Sequence, residues 1–309
     1  MRAFDLYLKR CKAYGFFLPT VLSLIRVFEK KFNVGADVRQ RMILRFMHKE
    51  FQEIIAKYMG ATVPKEAIPH DSPIWFCWYQ GEDGMPEIVK ACLRSIKKYA
   101  GDHPVVVLDY QTIGTYVTFP HHIAERLEKS DFNLIYLSDY MRNYLLSEYG
   151  GIWFDTTIYA LRQVEMPELP FWTVKRRCSN IHYVSRQRWT GFAMAGVKGN
   201  PLNSFVKEVL SEYHRRYPIL IDHFLIDFTI ALAYENVPCI REMIDQVSLN
   251  NENLYYLQDH IYDDYDGEMM EKLCGSHFVQ KVHHRYKGCK NKKSYYYYII
   301  NSNIIKDAI

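Results

Sequence analysis

The chain has no apolar run of 18 residues, no CxxC cysteine pair and no glycine-rich phosphate loop. The first absence excludes a membrane-spanning helix, which needs about 20 apolar residues. The nearest stretch, Ala13–Ile25 between Lys12 and Arg26, is broken up by Gly15 and Pro19 and lacks a small-residue cleavage site. It reads as a core or interfacial helix segment. The second absence leaves seven scattered cysteines (Cys11, Cys77, Cys92, Cys178, Cys239, Cys274, Cys289), an odd number. That usage fits reduced thiols in a cytosol better than a disulfide framework or a zinc site. The third, with neither GxGxxG nor GxxxxGK present, sets aside a dinucleotide-binding dehydrogenase and a P-loop enzyme.

What is present is a globular composition: 309 residues, 49% of them hydrophobic, with 25 tyrosines. Aromatic rings offer an apolar face and a polar edge to sugars, bases and interfaces, although core packing and sheet surface account for most of them. The net charge of +4 is unevenly spread. Met1–Gly60 carries 12 Lys and Arg against 5 Asp and Glu, Lys281–Ile309 carries 7 against 1, and the middle is acidic. Basic ends suit an anionic membrane surface or solvated helix faces alike, and the acidic centre argues against a nucleic-acid partner.

Residues 1–68 read as a helical N-terminal segment, with Leu22, Ile25, Phe28 and Phe32, then Ile43, Phe46, Met47, Phe51, Ile54 and Ile55 at helical spacing. The segment can lie on a membrane or cap the main domain. A loop with Pro64, Pro69 and Pro73 marks the boundary to an α/β domain over 69–288, and 289–309 is a basic, tyrosine-rich tail. Ile74–Trp78 predicts a central strand, Pro86 opens a helix that ends at Gly101, and Val105–Leu108 predicts the next strand. This β-α-β unit has the size of a nucleotide-binding half. Further strands are expected around Phe171–Lys175, Ile181–Val184 and Gly191–Gly196, and helices over Pro201–Tyr217 and His223–Tyr234.

The most informative stretch is Ser138–Thr157, SDYMRNYLLSEYGGIWFDTT. Ser138 is placed as a helix cap with Asp139 in the first turn, and Asp139 and Arg142 share a face three residues apart. Gly150–Gly151 stops the helix, Ile152–Phe154 has the character of a buried strand, and Asp155 emerges at its carboxyl end. Ligands of open α/β sheets bind at such strand ends.

Together WFCWYQ (Trp75–Gln80), Pro86–Ile88, Ser138-Asp139-x-x-Arg142, Gly150–Asp155 and RWTG (Arg188–Gly191) resemble the capsular polysaccharide synthesis glycosyltransferases. These are relatives of the family-32 α-glycosyltransferases. The resemblance runs from about Pro69 to Tyr286. It implies a GT-A-type, Rossmann-like nucleotide-sugar-binding domain that transfers a sugar, for example from a UDP-hexose, with retention of anomeric configuration. The acceptor it implies is a glycan or lipid-linked glycan of a capsule, exopolysaccharide or cell surface. Trp78 matches the aromatic that stacks on the base, Asp139 and Arg142 the pair that holds sugar hydroxyls, and Asp155 the first acid of a DxD motif. A core tryptophan, a helix salt bridge and a structural carboxylate are the plainer alternatives for these positions.

The second DxD position is Thr157, a poor ligand for Mn²⁺ or Mg²⁺, which want carboxylate oxygens. Two solutions remain for the leaving diphosphate. A divalent cation is held by Asp155 with donor phosphates and His277, His283 or His284, or Lys281 and Lys287 supply the charge directly; the segment is equally readable as a basic surface stretch. Asp222 and Asp227 are candidates for a nucleophile or for acceptor binding, with helix capping as the plainer role of Asp222. Arg188, Trp189 and Thr190 are candidates to line a sugar. Two other classes compete: a non-catalytic nucleotide-sugar or glycan-binding relative with a degenerate motif, and an adaptor working through its basic ends. The working expectation is a cytoplasmic enzyme, peripheral on the inner face of the plasma membrane.

Overall fold

Residues 3–178, 182–286 and 288–305 are described by the computed structural model. Four helices open it: α1 (Ala3–Tyr14), α2 (Phe17–Phe32), α3 (Ala36–Glu50) and α4 (Gln52–Tyr58). The chain turns at Gly15 between α1 and α2, and Pro19 falls in the first turn of α2, where a missing N–H leaves no hydrogen bond unmade. Next come β1 (Ile74–Cys77), α5 (Glu87–Tyr99) and β2 (Val105–Leu108), the expected β-α-β unit. Ile88, Val89, Cys92, Leu93 and Ile96 form the buried face of α5. Each large aliphatic side chain so buried stabilises by about 1.5–3 kcal/mol.

Two short helices, α6 (Ile113–Tyr116) and α7 (His121–Glu128), lead to α8 (Leu134–Glu148), β3 (Gly151–Phe154) and β4 (Ile158–Ala160). The helix starts four residues before Ser138 because Asn133 is its cap, its side chain accepting from Ile135 N at 2.8 Å. Asp139 is therefore not in the first turn, and burial, opposed by Arg142, rather than the helix dipole governs its charge. Gly150 (φ 72°) and Gly151 (φ 102°) both need the left-handed region, and a Cβ on Gly151 would lie 2.3 Å from Pro73 O. That close approach lets β3 enter beside β1.

Then follow β5 (Phe171–Thr173), β6 (Ala193–Gly196), α9 (Pro201–Arg216), α10 (Leu225–Asn236), α11 (Pro238–Gln246), α12 (Tyr256–Asp259), α13 (Gly267–Ser276), β7 (Val279–Lys281) and α14 (Tyr295–Ile305). The strand expected at Ile181–Val184 does not form among the described residues: Ile181 lies outside them, and His182–Arg188 make turns, with Arg186 and Gln187 at positive φ. The main sheet has the order β2-β1-β3-β6-β5, with β1 parallel to both β2 and β3 and the remaining pairs antiparallel. The Rossmann-like α/β core expected from the sequence is present.

A second, two-stranded sheet pairs β4 with β7, setting Ile158 opposite Lys281. One buried apolar cluster runs from Leu22 to Ile299. It joins the N-terminal helices to the sheet domain, with α3 against α10 and α4 against α9. In the tail, α14 packs on α5, with Arg94 Nη2 donating to Ile300 O at 2.7 Å, and buries Tyr295 and Ile299.

Candidate functional site

The chain leaves β1 toward β2 on one side and receives β3 on the other, so β1 and β3 flank a topological switch point. A cavity of about 560 Å³ opens at their carboxyl ends. Trp78, Tyr79 and Gln80 follow β1, Ser138, Met141 and Arg142 come from α8, Asp155–Thr157 follow β3, and Lys281, His284 and Arg285 close the far wall. A ligand at this place is the general expectation for open α/β sheets. A larger groove of about 810 Å³ between α4, α8 and α9 includes none of these side chains. Of its four cations, Lys57, Lys207 and Arg216 are bound to Glu208, Glu148 and Glu212, and Lys198 is exposed.

Arg142 is the hub of the charged wall. Its Nη2 lies 3.1 Å from Asp139 Oδ1 and 3.3 Å from Asp155 Oδ1, and its guanidinium sits 5.4 Å from the centre of the Trp153 ring. Arg142 Nη1 donates to Gly191 O, while Nε and Nη2 reach Ser138 O and Oγ at 3.3 Å. A Cβ at Gly191 would stand 3.1 Å from Arg142 Nη1, so the glycine of RWTG makes room for the arginine. Asp155 Oδ1 also accepts from Trp153 Nε1 at 2.8 Å. Of the paired acids, Asp139 is 12% exposed in its side chain and Asp155 29%, so Asp155 is the one presented to the cavity.

Burial pushes the Asp139 carboxyl up to about 7, with Arg142 opposing and the Asp155 charge adding to the rise. Asp227, on α10, accepts from Trp189 Nε1 at 3.0 Å, and burial lifts it to about 6 against that hydrogen bond and Arg142. Lys281 donates from Nζ to Thr157 Oγ1, a contact set up by the β4–β7 register and by Val282 N bonding Thr157 O at 2.9 Å. Burial lowers the Lys281 pKa, and the Asp155 charge raises it again. Trp78 is half-buried, its ring edge-on to His284 at 6.3 Å, and its buried Nε1 has no hydrogen-bond partner in the protein.

The family of capsular polysaccharide synthesis proteins matches residues 26–299. The chain belongs to this family. No curated protein matches it in sequence. Among solved structures, the PaToxG glycosyltransferase aligns over 79% of this chain and 100% of its own, with 16% identity and a TM-score of 0.43.

In this capsular polysaccharide synthesis protein, Trp78, Arg142, Asp155, Thr157 and Lys281 line one cavity, and Asp139 stands directly behind it on Arg142. His283 does not line it: the ring is exposed and its Nδ1 accepts from Arg285 N at 3.0 Å. His284, its neighbour, does. His277 bonds Asn250 O and borders a different groove, and Lys287 lies outside the described residues. Asp222 does not line the cavity; its Oδ2 holds Arg26 at 2.8 Å and Arg39 at 2.7 Å while Oδ1 accepts from Phe224 N. Arg188 stacks on Tyr234 at 4.1 Å, and Trp189 is buried. Sequence reasoning did not single out Arg285, whose signal was the basic segment around it, or Ser138 as a ligand of Arg142.

Proposed function

We propose that this protein is a retaining glycosyltransferase that moves a hexose from a UDP-linked donor onto a capsule or other cell-surface glycan, free or lipid-linked. The observation that carries this reading is the convergence, at one switch-point cavity, of an aromatic with an unused N–H, a carboxylate and three cations that line the same space. Trp78 offers a face for the base. Asp155, with Asp139 and Arg142 behind it, accepts sugar hydroxyls, and Lys281 and Arg285 meet the diphosphate.

Asp155 is the sole carboxylate among the described residues of the wall, and Oδ1 is engaged by Trp153 and Arg142. This favours a reaction in which the leaving phosphate, not an enzymic carboxylate, takes the acceptor's proton on the same face of the sugar. Incubation of the purified protein with a panel of UDP-hexoses tests it: transfer or slow hydrolysis is expected, and Asp155→Ala abolishes it. Absence of any nucleotide-sugar effect on thermal unfolding contradicts the proposal.

Peripheral attachment to an anionic membrane completes the reading. No described helix is long and apolar enough to cross a bilayer. Yet α2 presents Phe17, Leu24 and Phe28 in one exposed row, with Val27 and Phe32 beside it, and α1 exposes Phe4 and Leu8. Lys9, Lys12, Lys30 and Lys31 are exposed on the same two helices. An apolar stripe flanked by lysines is the pattern of an interfacial helix. Sedimentation with vesicles containing phosphatidylglycerol is expected, and neutral vesicles or the Phe17→Ser/Leu24→Ser/Phe28→Ser variant should lose it.

A further inference from the structure

A nucleotide-sugar site of this type implies a divalent cation, and the residues at this cavity do not fit one. Mn²⁺ and Mg²⁺ take several oxygen ligands in near-octahedral geometry. Asp155 offers a single carboxylate whose Oδ1 already receives Trp153 and Arg142. Where a second acid would stand, Thr157 presents a hydroxyl already bonded by the Lys281 ammonium. The histidines do not make up the difference: His284 Nε2 accepts from Arg285 Nε at 3.1 Å, and His283 Nδ1 is bonded to the backbone. No group of three or more His, Cys, Asp or Glu able to hold a metal occurs among the described residues. A cation here would also face three fixed positive side chains, Arg142, Lys281 and Arg285.

We propose that Lys281, oriented by Thr157 and assisted by Arg285, does the work of the divalent cation, so that this protein uses nucleoside-diphosphate sugars without a metal. The inference rests on the donor-site reading above. In the step it serves, the bond from the anomeric carbon to the β-phosphate oxygen breaks and its electron pair passes to the diphosphate. The acceptor oxygen bonds the same carbon, and the acceptor's proton leaves with the phosphate. Lys281 Nζ stabilises the charge as it develops on the diphosphate, the place where fixed donors have their greatest effect on a rate.

Lys281 reaches this position through β-sheet register rather than through a flexible loop. Ile158 lies opposite Lys281, Val282 N bonds Thr157 O, and the ammonium sits 4.9 Å from the centre of the Phe192 ring. Thr157 is thus a positioning residue: its hydroxyl holds the ammonium on the cavity wall and leaves the other two N–H bonds for phosphate oxygens.

The test is titration of UDP and of uridine into the full-length protein, in EDTA and in Mn²⁺, with protein-bound Mn²⁺ followed by electron paramagnetic resonance. UDP affinity and transfer should be unchanged by EDTA, and UDP should recruit no Mn²⁺ beyond what it binds alone. Lys281→Met should weaken UDP tenfold or more, leave uridine affinity intact as evidence of folding, and lower turnover by about 10²–10³-fold. Thr157→Val should lower turnover by a smaller factor, with no gain of Mn²⁺ dependence. Loss of UDP binding in EDTA with recovery in Mn²⁺, or UDP affinity untouched in Lys281→Met, overturns the inference while the donor site stands. Failure of both UDP and uridine to bind under every condition overturns the two together.

Discussion

The cavity wall and the α1–α2 hairpin are opposites in how they treat charge and apolar surface. At the cavity, Asp139, Asp155 and Arg142 are drawn into a partly dehydrated cluster in which every charged group has a partner. On the hairpin, phenylalanines and leucines stand in solvent and lysines point outward beside them. Burying ions is unfavourable unless each is paired, and exposing large apolar side chains is unfavourable unless something covers them. In the proposed reading the first arrangement is a preorganised binding surface within the protein, and the second is completed by a membrane surface outside it. A partly buried ion cluster ties α2 to the segment before α10 and to α3, Asp222 holding Arg26 of α2 and Arg39 of α3 outside the cavity.

The largest effect should come from breaking the hub. Arg142→Met leaves Asp139 and Asp155 unpaired, so turnover should fall below detection and unfolding free energy should drop by about 3–5 kcal/mol, measured by denaturant titration. The hairpin's vesicle binding, assayed below the new melting temperature, should survive.

The next separates the regions. Asp222→Ala removes the shared partner of two arginines and should lower stability by about 3 kcal/mol, while uridine and UDP affinity measured at low temperature stay within a factor of two. A matching loss of nucleotide affinity would mean that the two regions are not independent.

The effect with no loss of a side-chain partner is a pH dependence at the cavity. Asp139 is held near 7 in the folded chain against about 4 unfolded. The folded state therefore binds the extra proton between those values, and stability should fall as pH rises from about 4 to about 7. In the folded protein Asp139 ionises around its own value near 7, so donor affinity should rise from about pH 6 to about pH 8. Asp139→Asn should flatten the affinity curve and leave in the stability curve only the part contributed by Asp227, lifted to about 6, and vesicle binding should show neither dependence on this residue.

Much of the sheet was legible because its signals are local. The β-α-β unit shows continuous apolar runs around an amphipathic helix, and Gly150–Gly151 before Ile-Trp-Phe-Asp marks a helix stop, a strand and a carboxylate at its end. The helix start was misplaced because Asn133 and Ser138 are both good caps, and only tertiary structure selects Asn133. The β4–β7 pair was not legible, since two three-residue strands more than 100 residues apart carry no periodic pattern. That pair is what brings Lys281 to Thr157. Asp222 was hidden for the same reason: its partners lie 196 and 183 residues away.

The measurement that bears most directly on the donor cavity is calorimetric titration of UDP into the wild-type protein and into Trp78→Ala. Binding to the wild type, with a loss of at least tenfold in Trp78→Ala and unchanged vesicle binding, is the predicted result. Equal affinity in the two proteins, or no heat of binding in either, would contradict the assignment of this cavity to a nucleotide-sugar.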